Sequence, residues 1–261
     1  ICNDEGDTVH EVTSSQSAAP SAMSFHPTRA IFAVGYRNGG FLLSGCGIEN
    51  AYTNSALSHL DQRELPQIHQ GGQVTAVAFG TSLVDEMTTA TTADTTNNNN
   101  DLSEKFLSST SGDVIYFCTS EKVLSAWSIA IDVQQNAVSV SPLWNTKLPS
   151  AASTITRGNG FLFLHYNTSP NILVIDESSQ TTSVGVTLEP KDVLGNPMRS
   201  VWDSKHRTLI VLTTTVHLIS YKVGFDGKMT QTSFRKLNTS TITDTNVLQL
   251  AFVASGIVAV A

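Results

Sequence analysis

The strongest indication of the fold is the segment from Met23 to Leu43, which reads MSFHPTRAIFAVGYRNGGFLL. It holds three short apolar runs, and residues that favour turns separate each run from the next. His26-Pro27 follows the first run, and Pro27 presets φ for a turn. Gly35 lies near the end of the second run, and Asn38-Gly39 supplies the positive φ of a tight hairpin. The stretch therefore predicts three consecutive strands joined by short turns.

The same order of short apolar runs recurs along the chain. Most runs are about five residues long, the usual length of a strand, and many are rich in Val, Ile, Phe and Thr. The later units contain the runs Val74–Phe79, Val114–Cys118, Val123–Trp127, Ser153–Thr156, Phe161–His165, Ile172–Ile175, Ser200–Trp202, Leu209–Leu212, Val216–Tyr221, Leu248–Phe252 and Gly256–Val260. Several runs are apolar without alternation, which is typical of strands covered on both faces.

The spacing of the units indicates a repeat. The first run of each unit ends at a residue 54, 77, 46 and 50 positions after its predecessor, in the series Phe25, Phe79, Thr156, Trp202 and Phe252. Propeller repeats measure about 40–50 residues. The long interval contains residues 82–111, which are rich in Thr and Asn and cannot bury a core. We therefore predict that 82–111 is a disordered insertion within a blade.

The repeat order matches a WD repeat. His69 precedes the run at 74–79, Trp127 occupies the Trp position of the third strand, and Glu121 stands where Asp is usual. With Thr119, these residues are candidates for the buried polar network of such repeats, and Asn38 takes the Asp position in the first unit. The sequence predicts an all-β, WD-repeat-type β-propeller with about four blades plus a partial one. The alternative is a β-sandwich.

The two ends of the sequence suggest that residues 1–261 are a fragment of one propeller domain. The chain begins at Ile1 and ends inside the apolar run Gly256–Ala261. Natural domains seldom stop in the middle of a buried strand. We therefore expect an incomplete ring.

Composition excludes several classes of function. The net charge is −7, and no basic stripe with interleaved aromatics is present, which argues against nucleic-acid binding. Cys2, Cys46 and Cys118 lie far apart, so neither a disulfide framework nor a zinc site is predicted. No run of about 18 apolar residues predicts a membrane span. Catalytic and nucleotide-binding motifs are missing, so we expect no cofactor and no enzyme. The alternative of a propeller enzyme requires Asp or His residues that face the central channel.

A family resemblance adds to this reading. Ser24-Phe25-His26-Pro27-Thr28-Arg29, then Phe32-Ala33-Val34-Gly35-Tyr36 and Gly39, resembles the amino-terminal propeller of the intraflagellar transport protein 140 family. That family typically reads Trp-His-Pro-Thr-Arg, then Leu-Ala-Val-Gly-Trp, then Gly. Phe25 and Tyr36 depart from the pattern by replacing Trp. The later units follow in a similar order over most of the chain except 82–111.

The resemblance implies a role rather than a reaction. Members of that family are core subunits of intraflagellar transport complex A, which serves retrograde transport and cilium assembly. The resemblance implies a protein-docking propeller whose partners are other complex A subunits and ciliary cargo adaptors. It implies a location in the cilium or flagellum, the basal body and the cytoplasm, and no catalytic residue. The alternative is a WD-repeat subunit of another vesicle-coat or trafficking complex.

Overall fold

The computed structural model describes residues 18–26, 31–45, 63–65, 72–80, 113–132, 137–237, 249–253 and 256–260. Most of these residues form antiparallel strands joined by turns. Within the described residues, four sheets have four strands each, and we call them blades 1 to 4. In every sheet, strands that are neighbours in the chain are also neighbours in space.

Blades 1 and 2 form the first of two compact units. Blade 1 consists of β1 (Pro20–Phe25), β2 (Ile31–Tyr36), β3 (Phe41–Gly45) and β4 (Arg63–Leu65). Blade 2 consists of β5 (Val74–Gly80), β6 (Asp113–Thr119), β7 (Val123–Asp132) and β8 (Ala137–Lys147). The core between them is made of Ile31, Ala33, Phe41, Leu43, Val74, Val77, Phe79, Ile115, Phe117 and Ile129.

Blades 3 and 4 form the second unit, together with a two-stranded fifth sheet. Blade 3 consists of β9 (Thr154–Gly158), β10 (Phe161–His165), β11 (Asn171–Asp176) and β12 (Thr182–Thr187). The short helix α1 (Lys191–Leu194) precedes blade 4, which consists of β13 (Pro197–Asp203), β14 (Thr208–Thr213), β15 (His217–Val223) and β16 (Met229–Lys236). The fifth sheet pairs β17 (Gln249–Val253) with β18 (Gly256–Val260).

The second strands of the blades are covered on both faces. Every residue of β2 and of β6 is buried, and so is every residue of β10. One face packs into the core shared with the neighbouring blade of the same unit. This burial explains why the runs at 31–36, 114–118 and 161–165 are apolar without alternation.

The prediction of about four blades plus a partial one is confirmed. The first three strands of each complete blade lie where the apolar runs predicted them, although most extend by one to five residues. The fourth strands, β4, β8, β12 and β16, were not predicted. The predicted insertion at 82–111 lies outside the described residues, as do Pro27, His69, Cys2 and Cys46.

Glycines allow neighbouring blades to approach closely. A Cβ added to Gly35 on β2 would overlap the side chain of Val74, the first residue of β5. A Cβ added to Gly158 on β9 would overlap the indole of Trp202 on β13. Real Cβ atoms do not occupy such positions, so only glycine permits this packing.

Candidate functional site

The predicted marker His26 joins blades 1 and 2. It follows β1 and is buried, with its Nε2 atom 3.4 Å from Oδ1 of Asp113, the first residue of β6. The imidazole also packs against Phe79 on β5 in a T-shaped arrangement, with ring centroids 5.2 Å apart. These contacts give His26 a structural role between two blades.

The predicted hairpin after β2 is present. Gly39 adopts a φ of 84°, and Oδ1 of Asn38 accepts a hydrogen bond of 3.0 Å from the Gly40 amide. The sequence signal Asn38-Gly39 therefore identified both the turn and the residue that takes the left-handed conformation.

The predicted polar network of blade 2 stays a prediction, because His69 lies outside the described residues. Thr119 is buried at the end of β6, and its hydroxyl has no hydrogen-bond partner in the described part of the chain. Glu121 lies exposed in the turn after β6. Trp127 is half-buried on β7, with its ring 6.4 Å from that of Phe117.

A buried polar residue ends the second strand in three blades. Thr119, His165 and Thr213 occupy equivalent positions, opposite the beginning of the first strand of the same sheet. All three side chains are almost fully buried. In blade 4, Oγ1 of Thr213 lies 3.2 Å from Oγ1 of Thr215 and accepts from the amide of His217. The hydroxyl of Thr213 thus finds its partners inside its own blade.

His165 instead finds its partner in the next blade. Its Nε2 atom lies 2.5 Å from Oγ of Ser200 on β13, and Oγ of Ser200 lies 2.6 Å from Oγ1 of Thr156 on β9. Thr156 also donates to the carbonyl of Ser200 at 3.2 Å. Since Nδ1 of His165 has no partner among the described residues, we place the single imidazole proton on Nε2. A buried acceptor left alone costs less than a buried N–H left alone.

Burial is the main reason why the pKa of His165 falls to about 3, and the positive charge of Arg199 adds to the effect. The imidazole is therefore neutral at pH 7. Arg199 donates from Nη1 to the carbonyl of Met198 at 2.9 Å and to Oγ1 of Thr154 at 3.3 Å. A weakly basic, inaccessible imidazole suits a structural bond between blades and does not suit general-base chemistry.

Hydroxyl groups on the first strands link neighbouring blades in both units. Oγ of Ser21 on β1 donates to the carbonyl of Val74 on β5 at 2.6 Å. In the second unit, Thr154 donates to the carbonyl of Met198 at 3.2 Å. Thr156 repeats this bond two residues further along. Side-chain hydroxyls thus join the first strands of neighbouring blades through hydrogen bonds to backbone carbonyls.

An ion pair ties the end of β9 to the turn after β11. Nε of Arg157 donates to Oε1 of Glu177 at 2.8 Å, and Nη2 donates to Oε2 at 3.1 Å. Only 6% and 14% of the two side chains are exposed. This two-point geometry holds the guanidinium and the carboxylate in one plane.

An exposed aromatic side chain lies at one end of blade 4. Phe225, in the turn between β15 and β16, is 83% exposed, the highest value for a large hydrophobic side chain in the described part of the chain. The guanidinium carbon of Arg207 lies 3.7 Å from the centre of its ring. Three exposed lysines lie nearby. Lys205 lies with Arg207 in the turn between β13 and β14, Lys222 lies near the end of β15, and Lys228 lies in the same turn as Phe225. We call Arg207, Phe225 and these three lysines the blade 4 turn surface.

The dipeptide Asp226-Gly227 is a sequence signal for a hairpin turn, but no such signal marks Phe225 or Arg207. The only signal was a phenylalanine placed directly before a turn, where an apolar side chain is not needed for folding. The contact between Arg207 and Phe225 joins positions 18 residues apart and follows from strand pairing rather than from local sequence.

Two chemical features are missing from the residues that the structure describes. No group of three His, Cys, Asp or Glu side chains there is arranged to hold a metal ion. None of the helices in that part of the chain has the length and apolar character needed to cross a membrane.

Comparisons with known proteins define the fold. No protein-family model matches this chain, and no curated protein matches its sequence. The structure is similar to a chain in the crystal structure of the mitotic checkpoint complex, with a TM-score of 0.58, 11% sequence identity and coverage of 100% of this chain and 64% of that chain. It is also similar to the β-propeller domain of Cps50 (Swd1) from Myceliophteria thermophila, with a TM-score of 0.56, 10% identity and coverage of 94% and 63%.

This chain therefore spans less than two thirds of the length of either structure. At such low identity the similarity concerns the fold alone. Together with the antiparallel four-stranded sheets, it shows that the chain has an all-β, WD-repeat-type β-propeller fold.

Proposed function

We propose that this chain is a protein-docking scaffold. The observation that carries the proposal is the exposed ring of Phe225 on a turn that is fixed by Arg207. Large aromatic side chains and arginine are enriched where proteins bind one another. Among the histidines that the structure describes, His165 has the most strongly lowered pKa, and it is enclosed between blades 3 and 4, where it serves packing.

We propose further that the scaffold is a core subunit of intraflagellar transport complex A, acting in retrograde ciliary or flagellar transport and cilium assembly. The support is the ordered string from Ser24 to Gly39. The described residues of this string lie on β1 or directly after it, on β2 and in the hairpin after β2. Gly35 is required by its contact with Val74, which gives a physical reason for the glycine in the string.

A similar fold operates within a multiprotein assembly in the mitotic checkpoint complex. We extend that mode of use to this chain, with other complex A subunits and ciliary cargo adaptors as its partners. The proposed location is the cilium or flagellum, the basal body and the cytoplasm.

Affinity purification of the complete protein from ciliated cells tests this proposal. We expect quantitative proteomics to recover complex A subunits above an untagged control. We also expect depletion of the protein to leave transport particles accumulated at ciliary tips. Recovery of vesicle-coat subunits instead, with no signal along the axoneme, would assign the scaffold to another trafficking complex.

A further inference from the structure

The blade 4 turn surface has a charge opposite to that of the rest of the chain. Residues 197–236 contain seven Lys and Arg against two Asp, a net charge of +5, whereas the whole chain carries −7. The remaining residues therefore carry −12. Four of the seven cations, Lys205, Arg207, Lys222 and Lys228, belong to this one surface.

Local hydrogen bonds hold Arg207 in place beneath Phe225. The side-chain oxygen of Asn159 accepts from Nη2 and Nη1 of Arg207 at 2.6 and 3.1 Å in the amide orientation that satisfies both groups. Nε of Arg207 donates to the carbonyl of Val223 at 3.4 Å. One face of the Phe225 ring is thus covered by a fixed cation, and the remainder of the ring meets solvent.

The two carboxylates at this end of blade 4 are engaged locally. Oδ2 of Asp203 lies 2.6 Å from Nδ1 of His206, and Oδ1 of Asp226 accepts from the Lys228 amide at 3.0 Å. Nζ of Lys222 donates to the carbonyl of His206, and the Lys222 side chain is exposed. None of the ion pairs in the described part of the chain joins either carboxylate to a lysine.

We propose that the blade 4 turn surface docks an acidic segment of a partner protein, with an aromatic or large apolar side chain of that segment stacking on the open face of Phe225. This inference rests on the proposed function as a protein-docking scaffold. It adds the surface and the chemistry of the partner.

Charge favours a short acidic peptide over a nucleic acid. Four cations match the length of a short acidic run. A long polyanion would extend beyond them and meet a chain that is otherwise strongly negative. An aromatic anchor within an acidic segment uses both parts of the surface, the ring and the lysines.

Fluorescence anisotropy with the complete protein tests the proposal with three labelled probes: a random copolymer of Glu and Tyr, polyglutamate of matched length, and oligo(dT). We expect the copolymer to bind roughly tenfold more tightly than polyglutamate, the gain typical of one buried aromatic contact. Phe225→Ala should remove that difference. The double charge reversal Lys205→Glu with Lys228→Glu should weaken both polypeptides.

Phe234→Ala is the matched control. Phe234 is also an exposed phenylalanine of blade 4, but it lies near the end of β16 away from the turn and stacks on His217. We expect this variant to bind like the wild type. Equal losses in the two Phe variants, or no loss in Phe225→Ala, would overturn the proposal. Tighter binding of oligo(dT) than of the copolymer would overturn the choice of an acidic peptide.

The same variants separate this inference from the proposed function. If Phe225→Ala leaves copolymer binding intact while the tagged protein still recovers complex A subunits, the surface is wrong and the scaffold role stands. If the variant lowers copolymer binding but the wild type recovers no transport subunits, the surface stands and the ciliary role is wrong.

Discussion

The buried imidazole of His165 makes the free energy of unfolding depend on pH. Its folded pKa of about 3 lies below the ordinary value of 6.5 for a histidine. Above pH 6.5 the imidazole is neutral in the folded and unfolded states. Between pH 6.5 and 3 the unfolded chain binds a proton that the folded chain does not bind, so acid favours unfolding.

We expect the free energy of unfolding to fall by about 2 kcal/mol between pH 7 and pH 5 through His165 alone, at about 1.4 kcal/mol per pH unit below 6.5. Urea unfolding at several pH values measures this change. His165→Asn should lower stability at pH 7 and flatten the dependence on pH. Burial and the Lys236 charge also lower the pKa of His217, so a smaller slope of the same sign should remain.

An unchanged slope in His165→Asn would contradict the conclusion that the buried imidazole of His165 is the source of this dependence on pH.

Replacing Gly158 by alanine should destabilise the protein through a steric clash. In Gly158→Ala, the new methyl group meets the Trp202 indole, which stacks on Phe163 with ring centroids 5.7 Å apart. We expect a loss of about 1–3 kcal/mol, the usual cost of overpacking. Urea unfolding of Gly158→Ala, Trp202→Leu and the double variant forms a cycle. The double variant should lose less free energy of unfolding than the sum of the two single losses. If the losses simply add, the new methyl group does not meet the indole of Trp202.

Short sequence motifs predict structural roles that depend on adjacent residues, but not contacts between distant residues. Asn38-Gly39 was predicted because its turn geometry depends on two adjacent residues. The pairing of His165 with Ser200 was not, because it joins positions 35 residues apart through the packing of two blades. No periodicity in the sequence specifies which side chains of neighbouring sheets face one another.

At the scale of elements, burial separates the strands that the sequence predicts from those that it does not. The first three strands of each blade carry apolar runs because neighbouring sheets cover them. In contrast, β16 reads MTQTSFRK, and only Met229 is buried. The strand β12 reads TSVGVT and has no fully buried residue. Strands at a solvated edge need pairing but little apolar surface, so hydrophobic pattern cannot reveal them.

For the ion pair between Arg157 and Glu177, we expect one substitution to lower the free energy of unfolding more than replacement of both residues does. Glu177→Gln leaves a nearly buried guanidinium without its carboxylate, and we expect a loss of about 3 kcal/mol in the free energy of unfolding. Replacing both residues, as Arg157→Met with Glu177→Leu, should cost less. Thermal and urea unfolding of the three proteins measures the difference.

Glu189→Gln, an exposed carboxylate beyond β12, controls for the loss of one negative charge. If this variant loses as much stability as Glu177→Gln, net charge is the cause. If the double variant is less stable than Glu177→Gln, the loss does not come from a nearly buried guanidinium left without its carboxylate.

At the scale of the whole molecule, each unit has a core of its own. Blades 1 and 2 share one cluster, and blades 3 and 4 share a second that includes Phe163, Val211 and Tyr221. Sheets that contact mainly their neighbours gain stability from local interfaces. A defect in one interface should therefore act first within its own unit.

Hydrogen exchange measures this division. We expect Gly35→Ala, which disturbs the contact with Val74, to speed amide exchange in β1–β3 and β5–β7. Gly158→Ala should speed exchange in β9–β11 and β13–β15. Faster exchange throughout the chain in both variants would show instead that the two units open together.

The bonds between first strands also determine how each unit carries mechanical load. Ser21 bonds β1 to β5, and Thr154 and Thr156 bond β9 to β13. Among the described residues, β12 and β16 are bonded along one edge only. A partner that pulls on a fourth strand at right angles loads its hydrogen bonds one after another, so that strand peels away. A pull along a first strand loads many bonds at once and is resisted as shear. A load applied to a fourth strand would thus detach that strand under a force that leaves the first strands in place.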